Sequence, residues 1–480
     1  MTRFLALGLM CLLFMAGCGK PDSHAEIRFA IAQAPLNLDP RYATDAASER
    51  INRLIYRSLV DFDEHSKPAP DLATWQALTQ THYRFSLTAN GRQFHDGSEL
   101  TASDVAATYA SFAMLRDSPH AAEFANIAEV KAVDAGTVDF YLLQPDAGFP
   151  ARLIIGILPA GLIEKGHDFA HSPIGSGPLK FVSWHSALKL ERINDGQLFT
   201  LVEVKDPTVR VLKLLRGEVD LLQGDLPPEL IGYLRQQAAI EVHESEGANF
   251  SYLGFNLQDA QLANPLVRQA IAHAIDRPAI IRHALVGGSR AAGAILPPEH
   301  WAGNPDLPAY DYNPQLAREL LQQAGVQLPL KLTYKTSTDA QRVRLATMMQ
   351  AQMQPAGIEL EIRSLDWGTF FDDIKHGKFQ LYGLTWVGIK TPEIYRLAFH
   401  SDAIPPKGAN RGQLRDDELD KLIEQGAWAK VTQRVHQLLP YVPLWYEGQF
   451  VATRRGLLNY KLKADGNWDG LASIRRQYAQ

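Results

Sequence analysis

A strand, a helix and a second strand follow one another between residues 330 and 362, and this order is the strongest constraint on the fold. Leu330 to Tyr334 and Ile358 to Ile362 have the composition of short strands, and a helical segment, Asp339 to Gln354, lies between them. A helical crossover of this kind joins parallel strands, whereas a tight turn joins antiparallel ones. The sequence therefore predicts a parallel or mixed sheet flanked by helices, an α/β fold.

The chain is too long for one ordinary domain. It has 480 residues, which predicts two or three lobes. Hydrophobic residues make up 46% and charged residues 21%, as in ordinary globular proteins. The formal net charge is −5 and no long basic block occurs, so nucleic acid is not a predicted partner.

The first twenty residues have the layout of a secretory signal. Arg3 precedes an apolar run from Phe4 to Met15 that is too short to span a bilayer comfortably. We predict a signal peptide over residues 1–17, with a buried N-terminal helix as the alternative. The segment from Met15 to Cys18 resembles the lipobox of bacterial lipoproteins, which implies that Cys18 becomes the acylated first residue. Ordinary cleavage near Ala25 is the other possibility.

Cysteine usage agrees with export. Cys11 and Cys18 are the two cysteines. Removal of the signal and acylation of Cys18 would leave a body without a thiol or a disulfide, held together by packing alone. No second apolar run approaches membrane-spanning length, so we predict a tethered protein rather than an integral one.

Shorter patterns predict further elements. Alternating apolar residues indicate a strand over Glu26 to Ala34, and helical spacing indicates an amphipathic helix over Ala47 to Leu59. His82 to Thr88 and a segment around Phe94 are predicted as two strands joined by a turn at Asn90-Gly91.

Cap residues followed by proline predict where helices begin. Asn264-Pro265 and Asn313-Pro314 each start a helix, and Asp276 caps another. The segment Gly175-Ser176-Gly177-Pro178 is predicted to approach another part of the chain or a ligand closely, because glycine lacks a side chain.

Motifs for catalysis fail at decisive positions. Ile174 precedes Gly175-Ser176-Gly177, so no G-x-S-x-G elbow forms. His243-Glu244 lacks the second histidine of a zinc-protease helix. We therefore predict no enzyme activity, no cofactor and no metal site.

Five stretches, in this order along the chain, carry a resemblance to a known family. The chain resembles the family 5 extracellular solute-binding proteins of bacterial ABC importers, the oligopeptide-, dipeptide- and nickel-binding group. The stretches are NLDPRYATDAASERINRLIYRSLVDFD from Asn37, GRQFHDGSELTASDVAATYASF from Gly91, SPIGSGPLKFVSW from Ser172, FNLQDAQLANPLVRQAIAHAIDRPAII from Phe255 and YVPLWY from Tyr441.

The resemblance implies a two-lobe periplasmic-binding-protein fold of type II, in the large cluster with an extra subdomain. Mixed sheets flanked by helices would form two lobes, and a hinge of two crossing segments would let them close over a ligand. The implied lobe one combines residues 26–45, 172–258 and 448–480, the inserted subdomain of lobe one is 46–171, and lobe two is 259–447.

The resemblance also implies where the ligand binds. In peptide-binding relatives a tryptophan-bearing strand is followed by an aspartate that pairs with the ligand's α-ammonium group. Here Trp386 is followed by Val387 and Gly388, and the aspartate position falls on or near Ile389, with Lys390 next to it. Three hypotheses remain open: a ligand without an ammonium group, replacement of the acid by Glu393 or Asp366, or a site that has lost high-affinity binding or taken another role.

Other candidates for ligand contact lie at strand ends or near Trp386 in the sequence. The complete set of predicted ligand-binding residues is Gln33, Ala34, Asn249, Ser251, Tyr252, Trp367, Tyr382, Trp386, Gly388, Ile389, Lys390 and Glu393.

The resemblance implies the function of a substrate-binding lipoprotein. It would capture peptides or a related small solute between its lobes and deliver them to ABC permease subunits with their ATPases. We predict a monomer on the periplasmic or cell-surface side of a bacterial membrane, anchored at Cys18. The alternatives are a binding protein for a non-peptide solute, anionic solutes included, and an orphan sensor or chaperone of the same fold.

Overall fold

Nineteen strands lie in the parts of the chain that the computed structural model describes, residues 26–63, 65–115, 117–224 and 226–477. They are β1 Ile27–Ile31, β2 Val60–Phe62, β3 Pro68–Pro70, β4 Ala73–Thr79, β5 His82–Leu87, β6 Ile127–Ala132, β7 Thr137–Leu142, β8 Leu179–Trp184, β9 Leu188–Arg192, β10 Leu198–Glu203, β11 Leu221–Gln223, β12 Ile240–Phe255, β13 Arg290–Ala291, β14 Leu330–Ser337, β15 Ile358–Leu365, β16 Leu381–Trp386, β17 Tyr441–Arg454, β18 Leu457–Leu458 and β19 Arg475–Arg476.

Thirteen α-helices accompany these strands within the same described ranges. They are α1 Ala46–Ile55, α2 Ala102–Ser111, α3 Ala160–Glu164, α4 Pro207–Arg216, α5 Pro228–Arg235, α6 Pro265–His273, α7 Arg277–Ala284, α8 Pro314–Gln323, α9 Ala340–Met353, α10 Trp367–Lys375, α11 Ile394–Phe399, α12 Asp417–Glu424 and α13 Trp428–Leu438. None of the described helices is long and apolar enough to cross a membrane. The predicted signal segment, residues 1–17, and Cys18 lie outside the described residues.

One large mixed sheet runs through most of the molecule. Its strand order is β15-β14-β16-β12-β17-β11-β1-β10-β9-β8, with β13 paired to β17. We call β1 and β8–β11 the first half-sheet, and β14–β16 the second half-sheet. The long antiparallel strands β12 and β17, of 16 and 14 residues, lie between the two half-sheets and join them.

The strand–helix–strand prediction is confirmed. Strands β14 and β15 pair in parallel over Leu330 to Ser337, and helix α9 connects them. Leu332 and Ile358 from these strands share a core with Met349 of α9. The apolar positions that predicted the elements are therefore the positions that pack.

The predicted helix starts are also confirmed. The side chain of Asn264 accepts a hydrogen bond from the Leu266 N–H, and Asp276 accepts one from Ala279. Asn313 accepts one from Leu316. Each bond satisfies an N–H that the first helical turn leaves without a backbone partner.

A small antiparallel sheet has the order β4-β5-β7-β6 and packs with α2 around its own core. The predicted hairpin at Asn90-Gly91 is wrong, because β5 pairs with β4 and β7 and not with a strand at Phe94. Gly91 does take a positive φ of 76°, so the turn exists without the hairpin. Phe94 is instead buried in the core of this sheet.

Helix α1 packs against the first half-sheet, although the predicted inserted subdomain includes it. Ile51 and Leu54 of α1 are buried in one core with Phe29 and Phe199. The end of α1 lies against Gly175 and Gly177, where an added methyl group would overlap the backbone carbonyl groups of Ile55 and Leu54. The predicted close approach of this glycine segment is thus to another part of the chain.

Gly175→Ala should lower the free energy of unfolding by about 1–3 kcal/mol, because the new methyl group overpacks against the end of α1. Urea unfolding followed by tryptophan fluorescence would measure the change. Gly161→Ala in α3 is the matched control, since its methyl group would meet open space. Equal stability of the two variants would contradict the packing argument.

Candidate functional site

A cleft of about 1060 Å³ lies where the end of the second half-sheet faces α1 and the region around the small sheet. Residues from segments 44–62 and 123–154 form one wall, and residues 387–407, which follow β16, form the other. Asp465 and Asn467, beyond β17, also line the cleft. The size is suitable for a small organic solute or a short peptide.

The segment after β16 turns directly into this cleft. Gly388 has a positive φ of 69°, and its N–H donates to Asn249 Oδ1 of β12 at 3.1 Å. This bond ties the turn to the strand that joins the half-sheets. Gly388, Ile389, Lys390 and Glu393 line the cleft, so four of the predicted residues come together there.

Lys390 forms an ion pair across the cleft. Its Nζ lies 2.9 Å from Asp465 Oδ2, and the two side chains are 20% and 18% exposed. The same ammonium group lies 5.5 Å from the ring centroid of Phe62, at the end of β2. The Lys390 carbonyl oxygen contacts His300 Nε2 at 2.9 Å. The side chain of Lys390 thus connects the segment after β16 to two segments of the opposite wall, those that contain Phe62 and Asp465.

The contact with Lys390 changes the pKa of Asp465. Burial raises the pKa of the Asp465 carboxyl, but the Lys390 ammonium and the Asn467 N–H outweigh burial, and the pKa falls below its usual value. Asp465 is therefore ionised at neutral pH, and its charge is neutralised by a residue of the chain itself.

Glu393 and Asp366 were the predicted replacements for the missing aspartate. Glu393 lies in the cleft wall, and its Oε2 lies 3.7 Å from Arg152 Nη2. Asp366 caps α10 by accepting from the Thr369 N–H and does not line the cleft. Of the two, only Glu393 reaches the cleft, and it already has a cationic neighbour.

Trp386 packs against the hydrophobic core that contains Tyr252 and Tyr382, and it does not line the cleft. The Arg411 guanidinium carbon lies 5.0 Å from its ring centroid, and the Tyr252 ring stacks at 6.4 Å. Tyr252 and Tyr382 are buried in the same core, and the Tyr252 hydroxyl accepts from Arg411 NH1 at 3.2 Å. Alternate side chains of β16 point to opposite faces, which sends Trp386 to the same core as Tyr382.

The remaining predicted residues also lie away from the cleft lining. Ser251 is buried and bonds Thr385 and Glu447, both at 2.7 Å. Asn249 acts through its bond to Gly388. Trp367 is 58% exposed at the start of α10, and Gln33 and Ala34 follow β1, which lies between β11 and β10 in the first half-sheet.

Most residues of the cleft wall opposite Lys390 were not predicted from the sequence. Arg50 and Arg53 of α1, Phe62 and Arg152 line the cleft. The signal available was the α1 pattern, in which apolar residues at helical spacing leave Arg50 and Arg53 off the buried face. That pattern could not show which structure faces these arginines.

An imidazole sits between two further cleft carboxylates. His120 Nδ1 lies 3.1 Å from Glu123 Oε1, and its Nε2 lies 4.0 Å from Glu49 Oε1. Burial lowers the pKa of His120, but the carboxylates and a bond to the Ala43 carbonyl outweigh it and raise the pKa to about 9. His120 is therefore cationic at neutral pH.

Two half-sheets joined by long crossing strands, with a cleft between the end of the second half-sheet and helix α1, which packs on the first, are the architecture of two-lobe solute-binding proteins. The family model "Bacterial extracellular solute-binding proteins, family 5 Middle" matches residues 67–403. The chain belongs to this family. The type II periplasmic-binding-protein fold expected from the sequence is confirmed by solved relatives.

Individual proteins similar to this chain are peptide-binding proteins. The dipeptide-binding protein of Escherichia coli (strain K12) is 29% identical over 62% of this chain and 60% of its own length, so that match spans less than two thirds of the relative. The oligopeptide-binding protein AppA of Bacillus subtilis (strain 168) is 24% identical over 92% of this chain and 90% of its own. DppA from Helicobacter pylori, solved with the peptide STSA, superposes with a TM-score of 0.78 at 25% identity, over 94% of this chain and 98% of that one.

Asp465→Asn should lower the free energy of unfolding by about 1–3 kcal/mol at pH 7, because it leaves a mostly buried Lys390 ammonium without a carboxylate. Since the folded pKa of Asp465 is depressed, its stabilising contribution is present above the unfolded value of about 3.9 and is lost as pH falls through the folded value. The free energy of unfolding of the Asp465→Asn variant should therefore fall less than that of the wild type as the pH is lowered from 7 to 3.

Urea unfolding at pH 3 to 7 measures both effects. Glu359→Gln is the control, because the Glu359–Lys331 pair is exposed and 3.7 Å apart. An Asp465→Asn variant as stable as this control at pH 7 would show that the cross-cleft pair contributes nothing.

Proposed function

We propose that this protein captures a peptide or a related small solute in the cleft and delivers it to the permease subunits of an ABC importer. The observation that carries the proposal is the cleft itself, which lies between two units joined by two strands and is bridged by the Lys390–Asp465 pair. Family membership and the peptide bound to the DppA relative support the ligand class.

The proposed mechanism is closure about the crossing strands. A solute that touches both walls favours the closed arrangement by the difference between its affinities for the closed and open forms. Cross-cleft contacts such as Lys390–Asp465 and Arg152–Glu393 add to the closed form. In the proposed division, lobe one is 26–45, 172–258 and 448–480, its inserted subdomain is 46–171 and lobe two is 259–447, with α1 packing on lobe one.

We propose direct solute contact for the four predicted residues that line the cleft, Gly388, Ile389, Lys390 and Glu393. Asn249 is a positioning residue, because it holds the Gly388 turn. In this proposal the buried Ser251 and Tyr252 of β12 and Tyr382 of β16 do not contact the solute. They pack around β16, the strand that leads into the Gly388 turn. Trp386 would support Arg411 and the core rather than cover the ligand.

The test is solute-induced closure. The body of the protein, purified from its own host without refolding, is expected to release peptides or small solutes on denaturation, detected by native mass spectrometry. Adding back the released fraction to the emptied protein should decrease its radius of gyration in small-angle X-ray scattering and raise its midpoint of thermal unfolding. Absence of any solute that changes shape or stability would overturn the proposed function.

Lipid anchoring at Cys18 belongs to the same proposal. The lipobox-like segment Met15-Ala16-Gly17-Cys18 supports it. Cys18→Ser should move the protein from the membrane fraction to the soluble fraction of its host, because acylation of this thiol provides the hydrophobic anchor. Cys11→Ser is the control and should leave the distribution unchanged. Membrane retention of the Cys18→Ser protein would contradict the anchor.

A further inference from the structure

The carboxylates that line the cleft already have cationic neighbours within the chain. The five acidic side chains are Glu49 and Glu123, which flank cationic His120, Glu393 beside Arg152, Asp402 beside Arg396, and Asp465 beside Lys390. A solute ammonium group entering the cleft would compete with these cations. Every described carboxylate of the cleft lining thus has a cationic neighbour, and the weakest pairing is that of Glu393, which lies 3.7 Å from an Arg152 that also bonds Asp146 at 2.9 Å.

Arg50 is in the opposite situation. Arg50 lines the cleft, and no described residue forms an ion pair or a side-chain hydrogen bond with its guanidinium. The guanidinium carbon lies 5.5 Å from the ring centroid of Trp468. Trp468 is itself 3% exposed and fixed by an edge-on contact with Phe29 at 4.9 Å. A rigid aromatic platform therefore holds a cation whose N–H donors remain available.

Apolar side chains occupy much of the rest of the lining. Phe62 and Ile154 lie on the α1 side, and Val387, Ile389, Ile394 and Leu397 lie on the side of the second half-sheet. Val387 is 51% exposed and Leu397 is 43% exposed, so both offer apolar surface to a solute. A ligand body that covers this surface gains by removing it from water.

We propose that the cleft selects an elongated solute that places an anionic group on Arg50, covers the apolar lining with an uncharged body, and carries no ammonium group. Among peptide-like compounds, this describes a short peptide with a blocked amino end and a free carboxylate. The inference rests on the proposed solute-binding function and adds its chemical class. Lys407 also lines the cleft, but a guanidinium binds a carboxylate through two parallel hydrogen bonds in a fixed geometry, which an ammonium group does not, so Arg50 is the residue that determines specificity for the anionic end.

Four forms of one tripeptide, Ala-Leu-Ala, test the two ends separately. They combine a free or acetylated amino end with a free or amidated carboxyl end, and isothermal titration calorimetry measures the dissociation constant of each with the emptied protein. We expect the acetylated acid to bind most tightly. Amidation should weaken binding by about tenfold or more, and removal of the acetyl group should also weaken it.

Arg50→Gln assigns the effect to Arg50. In this variant the acetylated acid should lose about tenfold in affinity, whereas the affinity of the acetylated amide should stay within about twofold. The unchanged amide also shows that the variant is folded. Arg415→Gln removes an exposed arginine that does not line the cleft, and it should bind all four forms as the wild type does.

Three results would overturn the inference: a free amino end that binds as tightly as the acetylated one, an Arg50→Gln loss that is equal for acid and amide, or no binding by any of the four forms. The closure experiment separates these failures from failure of the proposed function. If solutes from the host still close the protein, solute binding stands and only the chemical class is wrong. If they do not, both are wrong.

Discussion

The pairing of β12 with β17 is the constraint on which the rest of this structure depends. The two strands run antiparallel from Ile240 opposite Arg454 to Gly254 opposite Tyr441, and they are the central strands of the large sheet. Their register shifts between Ser245 and Asn249, near Gly247 and Gly448. A methyl group at Gly247 would overlap the carbonyl of Glu447, and one at Gly448 would overlap that of Gly287. The chain can cross so tightly at this point only because these residues lack side chains.

The cleft follows from this crossing. Because β12 pairs with β16 of the second half-sheet and β17 pairs with β11 of the first, the turn after β16 is placed opposite α1, with Asn249 of β12 holding Gly388. Lys390 then meets Asp465, which lies just beyond β17 and β18. The electrostatic character of the cleft is therefore decided by residues far apart in the chain. Lys390 pairs with Asp465 of the opposite wall, whereas Arg50, stacked on Trp468, forms no ion pair with a described residue.

The sequence predicted where helices and strands lie more reliably than it predicted which strands pair and which side chains pack together. The capped helices at Asn264, Asp276 and Asn313 and the parallel pair β14–β15 were predictable because local spacing and cap chemistry specify them. The hairpin at Asn90-Gly91 was not, because the turn chemistry is local but the partner of β5 is set by packing in the small sheet. Trp386 shows the same limit at the site: its position at the end of a strand was predictable, whereas the face to which its ring points was decided by the core that contains Tyr252 and Tyr382.

The sequence by itself determined the α/β class and the family, because periodicity, capping and ordered motifs are properties of neighbouring residues. The resemblance to that family also placed Gly388, Ile389 and Lys390 among the predicted ligand contacts. Only the tertiary structure decided that Lys390 pairs with Asp465 and that Arg50 faces the same space. Those facts depend on distances between segments separated by tens to hundreds of residues, and such distances are fixed by packing and by the pairing of the crossing strands.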